Sequence, residues 1–211
     1  EHTISLMMSL ARNIPQASKS TKEGKWEKSK FMGTELFGKT LGMIGCGNIG
    51  SLVAERCIGL KMKVCVYDPF LSQEQTEKIG AKKVELEKIL LNSDFITLHT
   101  PLTDETKGIL NKENLSKCKN VVKIINCARG GLIVEKDLIE LIDEGKISGA
   151  ALDVFSEEPP KNNNLFNVEN LILTPHLGAS TSEAQENVAI QIAQQISDYL
   201  NNDVIVNSIN V

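Results

Sequence analysis

Residues 40–50 read Thr-Leu-Gly-Met-Ile-Gly-Cys-Gly-Asn-Ile-Gly, and the fold turns on how this stretch is read. The run Thr40 to Ile44 has the length and composition of a buried strand, and Gly45, Gly47 and Gly50 then follow in G-x-G-x-x-G spacing. Beyond them Ile49, Leu52, Val53, Cys57 and Leu60 recur at helical spacing, so the glycines fall between a strand and a helix. There Gly45 permits a tight turn, Gly47 lets backbone approach a pyrophosphate, and Gly50 lets the helix pack closely on the strand. Asn48 and Ile49 open the helix, whose first N–H groups and positive dipole end would face the anion. Asp68 ends the next apolar run, 18 residues past Gly50. A carboxylate there accepts from ribose hydroxyls and repels the extra phosphate of NADP, so NAD is the expected cofactor. A flavin or a nucleotide sugar would share the glycines, and the rest of the chain must decide the chemistry.

Outward from this stretch the pattern repeats. Seven short apolar runs read as strands: Thr40 to Ile44, Lys63 to Tyr67, a weak one near Lys83, Phe95 to Leu98, Val122 to Asn126, Ala150 to Val154, and Leu171 to Thr174. Helix-period segments separate them, among them Val134, Leu138, Leu141 and Ile142 closed by Gly145. Sustained βα alternation with apolar strands predicts an α/β fold, a doubly wound parallel sheet of the Rossmann kind, over 39–200. Before it, Ile4, Met7, Met8, Ala11 and Ile14 predict one amphipathic helix up to Pro15, followed by a polar stretch from Ser18 to Lys25. The last long helix is expected to start at a capping box, Ser180 with Glu183, and to bury Ala189, Ile192, Ala193, Ile196 and Leu200. Segments 1–38 and 201–211 read as connections leading out of the domain and back.

Composition narrows the function classes. With 23 basic and 27 acidic side chains the 211-residue chain is mildly acidic, and it lacks a Lys/Arg block, which argues against nucleic acid as a partner. The longest apolar-or-glycine run, Leu41 to Gly47, is far shorter than the ~18 residues of a membrane helix, so no membrane span is expected. Five cysteines without a C-x-x-C pair read as reduced thiols and a cytoplasmic home. Three histidines give a metal site little to work with, and none is expected.

Ligands of open α/β sheets bind beyond the carboxyl ends of the strands, so the residues following each run are the ones to weigh. They are His99-Thr100-Pro101, Cys127-Ala128-Arg129-Gly130-Gly131, Asp153 with Glu157-Glu158-Pro159, and Pro175-His176. Hydride transfer from an alcohol carbon needs a base, for which histidine titrates in the right range, and a cation for a substrate carboxylate, for which arginine offers a planar fork. A nearby carboxylate would raise the pKa of the base. The residues alone leave His99 and His176 as equal candidates. Cys127, with no base partner in view, reads as a small apolar residue at a strand end.

The segments EHTISLMMSLARNIPQA, GKWEKSKFMGTELFGKTLGMIGCGNIG, ITLHTPLTDET, IINCARGG, GAALDVFSEEPP and TPHLGASTSEAQENVA together resemble the D-isomer-specific 2-hydroxyacid dehydrogenase family nearly end to end. The resemblance implies that Arg129 holds the substrate carboxylate, that His176 is the acid/base in place of His99, and that Glu158, directly before Pro159, is the carboxylate partnered with it. It also implies cofactor contacts from Asn48, Ile49, Asp68, Thr100, Cys127, Ala128, Arg129 and Asp153 near the carboxamide, and from His176, Leu177, Gly178 and Ala179. GAST and EAQ after the histidine tilt the expected substrate toward a phosphorylated 2-hydroxy acid; glycerate, glyoxylate or D-lactate are the alternatives, and a dinucleotide-sensing corepressor on the same scaffold is a third. Members carry a separate substrate domain built mostly from an N-terminal segment, so this chain is expected to lack most of it. Relatives pair through the arm before the first strand, which implies a homodimer; the arm here carries Trp26, Phe31 and Phe37, and Trp26 is expected to insert at that interface, with covering of its own domain as the alternative. Val134 stands where members commonly carry an acidic residue.

Overall fold

The computed structural model describes residues 1–161 and 164–208. They fall into two compact units, one up to residue 175 and one from residue 176 on.

In the first unit seven parallel strands, β1 (Thr40–Ile44), β2 (Lys63–Tyr67), β3 (Lys82–Lys83), β4 (Phe95–Leu98), β5 (Val122–Asn126), β6 (Ile147–Leu152) and β7 (Leu171–Leu173), form one sheet in the order β3-β2-β1-β4-β5-β6-β7. All seven fall on the runs expected from sequence, although β6 is displaced, running from Ile147 to Leu152 rather than from Ala150 to Val154. The central strands are apolar along their whole length because both faces are covered: every residue of β4 is buried, and β5 alternates Ile124 toward one layer with Ile125 toward the other.

One layer contains α5 (Leu86–Asn92), α6 (Lys112–Lys117) and α7 (Glu135–Asp143), through Ile89, Leu90, Leu115, Leu138 and Leu141. The other contains α1 (His2–Arg12) and α3 (Asn48–Gly59), through Leu6, Met7, Leu10, Val53 and Cys57. At about 1.5–3 kcal/mol per fully buried large aliphatic side chain, α1 is thus an integral part of the core. Between β2 and β3, α4 (Gln73–Lys78) opens with a complete capping box from Ser72 and Gln75.

Three expectations need correction. The first helix does not run to Pro15. Asn13 adopts the left-handed conformation (φ 53°) and ends α1, and Pro15 lies in the first turn of a new helix, α2 (Ile14–Lys22), where its missing N–H leaves no bond unmade. Much of the polar stretch from Ser18 is therefore helical, and Met8 and Ile14 are exposed. In α3 the buried face is Gly50, Val53, Ala54 and Cys57, while Ile49 and Leu52 face outward.

The third correction concerns the second unit, whose helix α8 (Ser182–Asn202) begins one residue later than the expected box implies. Thr181, not Ser180, is the N-cap, and its hydroxyl accepts from the Ala184 N–H at 3.1 Å. No residue of α8 is buried, and Ile192, Ile196 and Leu200 are more than half exposed. The apolar stripe marks a face suited to packing, but periodicity does not supply the partner that covers it. Positions 209–211 of the expected return segment lie outside the described residues. No helix among the described residues is long and apolar enough to cross a membrane.

Candidate cofactor and active site

The strand order reverses between β1 and β4, and at such a switch point the loops after the two strands diverge and leave a crevice. One wall is the glycine turn. Gly45 lies at φ 86°, which favours glycine, and a Cβ there would stand 2.6 Å from the His99 carbonyl oxygen and 2.9 Å from the Thr100 nitrogen. The loop after β4 thus presses directly on the turn. A Cβ on Gly50 would lie 3.3 Å from that of His99. Gly47 differs, since an added Cβ would meet nothing within 4 Å. It is the N-cap of α3, and no side chain caps that helix, so its start, at the exposed Asn48 and Ile49, is left uncapped beside that open position.

Asp68 follows β2 and is 8% exposed. Its Oδ2 accepts from the Cys46 N–H at 2.8 Å and its Oδ1 from the Phe70 N–H at 2.9 Å, which fixes the carboxylate at the rim of the turn with lone pairs left to accept hydroxyls. An uncapped helix start, an open position over Gly47 and a tethered carboxylate together fit a pyrophosphate and a ribose, as NAD requires. His99, the alternative base, lies beneath this turn with Nε2 3.1 Å from Thr97 Oγ1, and burial pulls its pKa down to about 4.

Beyond β5, Cys127, Ala128 and Arg129 form a loop organised by Asn126, which is 2% exposed. Asn126 Oδ1 accepts from the Ala128 N–H at 3.0 Å and Nδ2 donates to the Arg129 carbonyl at 2.9 Å. Arg129 itself is exposed, its Nη1 donating to the Ala128 carbonyl at 2.6 Å. Gly130 permits the approach of the next loop, because a Cβ there would sit 1.7 Å from the Phe155 carbonyl oxygen. Burial pushes the Cys127 thiol up to about 11, which suits a packed thiol rather than a nucleophile.

After β6, Asp153 is wholly buried, with Thr174 Oγ1 donating to its Oδ1 at 2.5 Å and His2 Nε2 at 3.1 Å from the same oxygen. Glu158 Oε1 accepts from the Phe155 N–H at 3.0 Å, while Glu135 Oε1 accepts from the Ser156 N–H at 2.7 Å. The first unit therefore gathers Gly45 to Gly50, Asp68 and Thr100 at the switch point, and Cys127 to Arg129, Asp153 and Glu158 at the carboxyl ends of β5 and β6. In the second unit His176 stands at φ 55°, and Leu177 to Ala179 continue into a turn closed by the Ser180 N–H on the Leu177 carbonyl at 2.9 Å.

Asn126, Thr174 and His2 were not singled out by the sequence reading as site-supporting residues. A polar residue closing an apolar strand run was the available signal for Asn126 and Thr174. His2 carries no local signal, because its partners are brought to it only by the sheet.

Residues 4–178 match the family described as D-isomer specific 2-hydroxyacid dehydrogenase, NAD binding domain. The chain is similar to D-3-phosphoglycerate dehydrogenase of Synechocystis, at 52% identity over 200 residues that cover 95% of this chain and 36% of that protein. It is likewise similar to the D-3-phosphoglycerate dehydrogenase of Bacillus subtilis, at 48% identity over 211 residues, 100% of this chain and 40% of that one. The chain thus spans well under half the length of these relatives. Among solved structures, a glyoxylate reductase superposes with a TM-score of 0.91 at 30% identity, covering 99% of this chain and 63% of its own. The chain belongs to the D-isomer-specific 2-hydroxyacid dehydrogenases and carries their NAD-binding domain.

Proposed function

We propose that this chain supplies the cofactor site and the catalytic side chains of an NAD-dependent D-3-phosphoglycerate dehydrogenase, which oxidises the 2-hydroxyl to a 2-keto group as the first step of serine biosynthesis. The observation that carries the reading is the loop after β5, where buried Asn126 holds the Arg129 backbone and the guanidinium stands exposed at the carboxyl end of a central strand. A forked cation there suits the carboxylate of a 2-hydroxy acid. Bound NAD supplies the hydride acceptor. Arg129 fixes the carboxylate, His176 takes the hydroxyl proton in the oxidative direction, and Glu158 is the carboxylate assigned as its partner. In reverse, protonated His176 is the acid.

Similarity at 48–52% identity to proteins named for phosphoglycerate supports this substrate over glyoxylate or D-lactate. The arm before β1 supports a homodimer: Trp26 is 86% exposed, with Met32 and Phe37 also exposed, so Trp26 does not cover its own domain. Sedimentation as a monomer at micromolar concentration would defeat that pairing.

The function is tested by titrating the protein with NADH and NADPH and by assaying the full-length enzyme with D-3-phosphoglycerate, D-lactate and glycerate. Preferred NADH binding and turnover led by D-3-phosphoglycerate are expected; faster turnover of either other acid would reassign the substrate. Binding without turnover of any acid would favour a regulatory dinucleotide sensor.

A further inference from the structure

Asp153 is a wholly buried carboxylate at the carboxyl end of β6, and such a group persists only where donors are built around it. Two side chains from elements distant in sequence come together at its Oδ1. Thr174, directly after β7, donates from Oγ1 at 2.5 Å, and His2, the first residue of α1, places Nε2 at 3.1 Å. The same Nε2 lies 3.2 Å from Thr174 Oγ1. The threonine proton is committed to Asp153, so its oxygen can only accept from the imidazole. The hydrogen bond to Thr174 therefore requires a proton on Nε2, which makes the ring a donor.

We propose that His2 is a positioning residue for the nicotinamide end of the cofactor, acting through Asp153. This rests on the reading of Asp153 as the acceptor for the carboxamide of NAD. A carboxylate held at one oxygen by a threonine that His2 in turn holds has its plane set before the cofactor arrives. A carboxamide N–H₂ then meets an oriented acceptor, and that orientation decides which face of the ring is presented for hydride transfer. α1 is suited to the task, because Leu6, Met7 and Leu10 anchor it in the core while its N-terminal end delivers His2 to the carboxyl ends of β6 and β7.

The test compares NADH with ADP-ribose, which shares the adenosine, ribose and pyrophosphate but has no nicotinamide. In His2→Leu, NADH is expected to bind about 10-fold more weakly while ADP-ribose stays within about twofold, the change that loss of one hydrogen bond brings. His2→Gln, which offers an amide Nε2 donor at comparable reach, is expected to restore most of the NADH affinity. Asp153→Asn is the reference and should show the same selective loss. Equal weakening of both ligands in His2→Leu would make His2 merely structural. Selective loss in Asp153→Asn without loss in His2→Leu would overturn the proposal for His2 alone. An Asp153→Asn protein with unchanged NADH-to-ADP-ribose preference would overturn the reading of Asp153 and the proposal with it.

Discussion

The Cys46 N–H donates to Asp68 Oδ2 across 2.8 Å, so the glycine turn after β1 and the acidic residue after β2 form one hydrogen-bonded unit. Asp68→Asn tests this coupling. An amide presents N–H₂ to one of the two backbone donors that the carboxylate now satisfies, leaving a nearly buried N–H unpaired. A stability loss of about 1–3 kcal/mol is expected in urea unfolding. The preference for NADH over NADPH should shrink by about 10-fold in fluorescence titrations, since the charge that repels a 2′-phosphate is gone. Unchanged stability and preference together would show that the carboxylate neither supports the turn nor selects the cofactor.

The glycines of the same turn separate folding from binding. In Gly45→Ala the new Cβ meets the His99 carbonyl at 2.6 Å on a backbone at φ 86°, so loss of stability of about 1–3 kcal/mol should accompany loss of NADH binding. In Gly47→Ala the Cβ enters open space, and the melting temperature should move little while NADH affinity falls at least about 10-fold. Thermal melts beside cofactor titrations read both effects. A Gly47→Ala protein that binds NADH normally would remove the pyrophosphate from that position.

The strands and the glycine turn were legible in the sequence because each is a local pattern: an apolar run, G-x-G-x-x-G, an aspartate at the next strand end. Periodicity was less informative where the chain turned sharply. Helical spacing continued through Asn13 although its left-handed backbone divides α1 from α2. On α8 the spacing of Ile192, Ile196 and Leu200 was correct as a stripe and silent about what covers it. The support around the site was the least legible part. Asn126 acts on neighbours two and three residues away, but His2 reaches Asp153 and Thr174 only because the sheet sets α1 against β6 and β7.

His99 gives stability a pH dependence of definite sign. Burial holds its folded pKa at about 4, against ~6.5 in an unfolded chain, so between these values the unfolded state takes up a proton that the folded state does not. Its contribution is fully present above about pH 6.5 and is lost as pH falls toward 4, by at most about 3 kcal/mol. Urea midpoints from pH 7.5 to 4.5 should therefore fall more steeply in the wild-type protein than in His99→Gln. Parallel curves would mean that His99 is protonated in the folded state.

Asn126 is expected to act on catalysis through Arg129 without touching the cofactor turn. Its side chain bonds the Ala128 N–H and the Arg129 carbonyl, and neither bond can form in Asn126→Ala. The guanidinium would remain charged and exposed but would lose its fixed starting point, and a displaced carboxylate clamp costs orientation in the transition state. In the full-length enzyme kcat/KM for the hydroxy acid should fall about 10- to 100-fold, with KM for NAD changed less than about threefold. Arg129→Lys should fall further, because a point charge cannot reproduce the fork. Asn126→Asp retains the acceptor for the Ala128 N–H and loses the donor to the Arg129 carbonyl, so activity between wild type and Asn126→Ala would assign a separate share to each bond. If Asn126→Ala retained full kcat/KM while Arg129→Lys did not, Arg129 would be positioned by the substrate rather than by the loop beneath it.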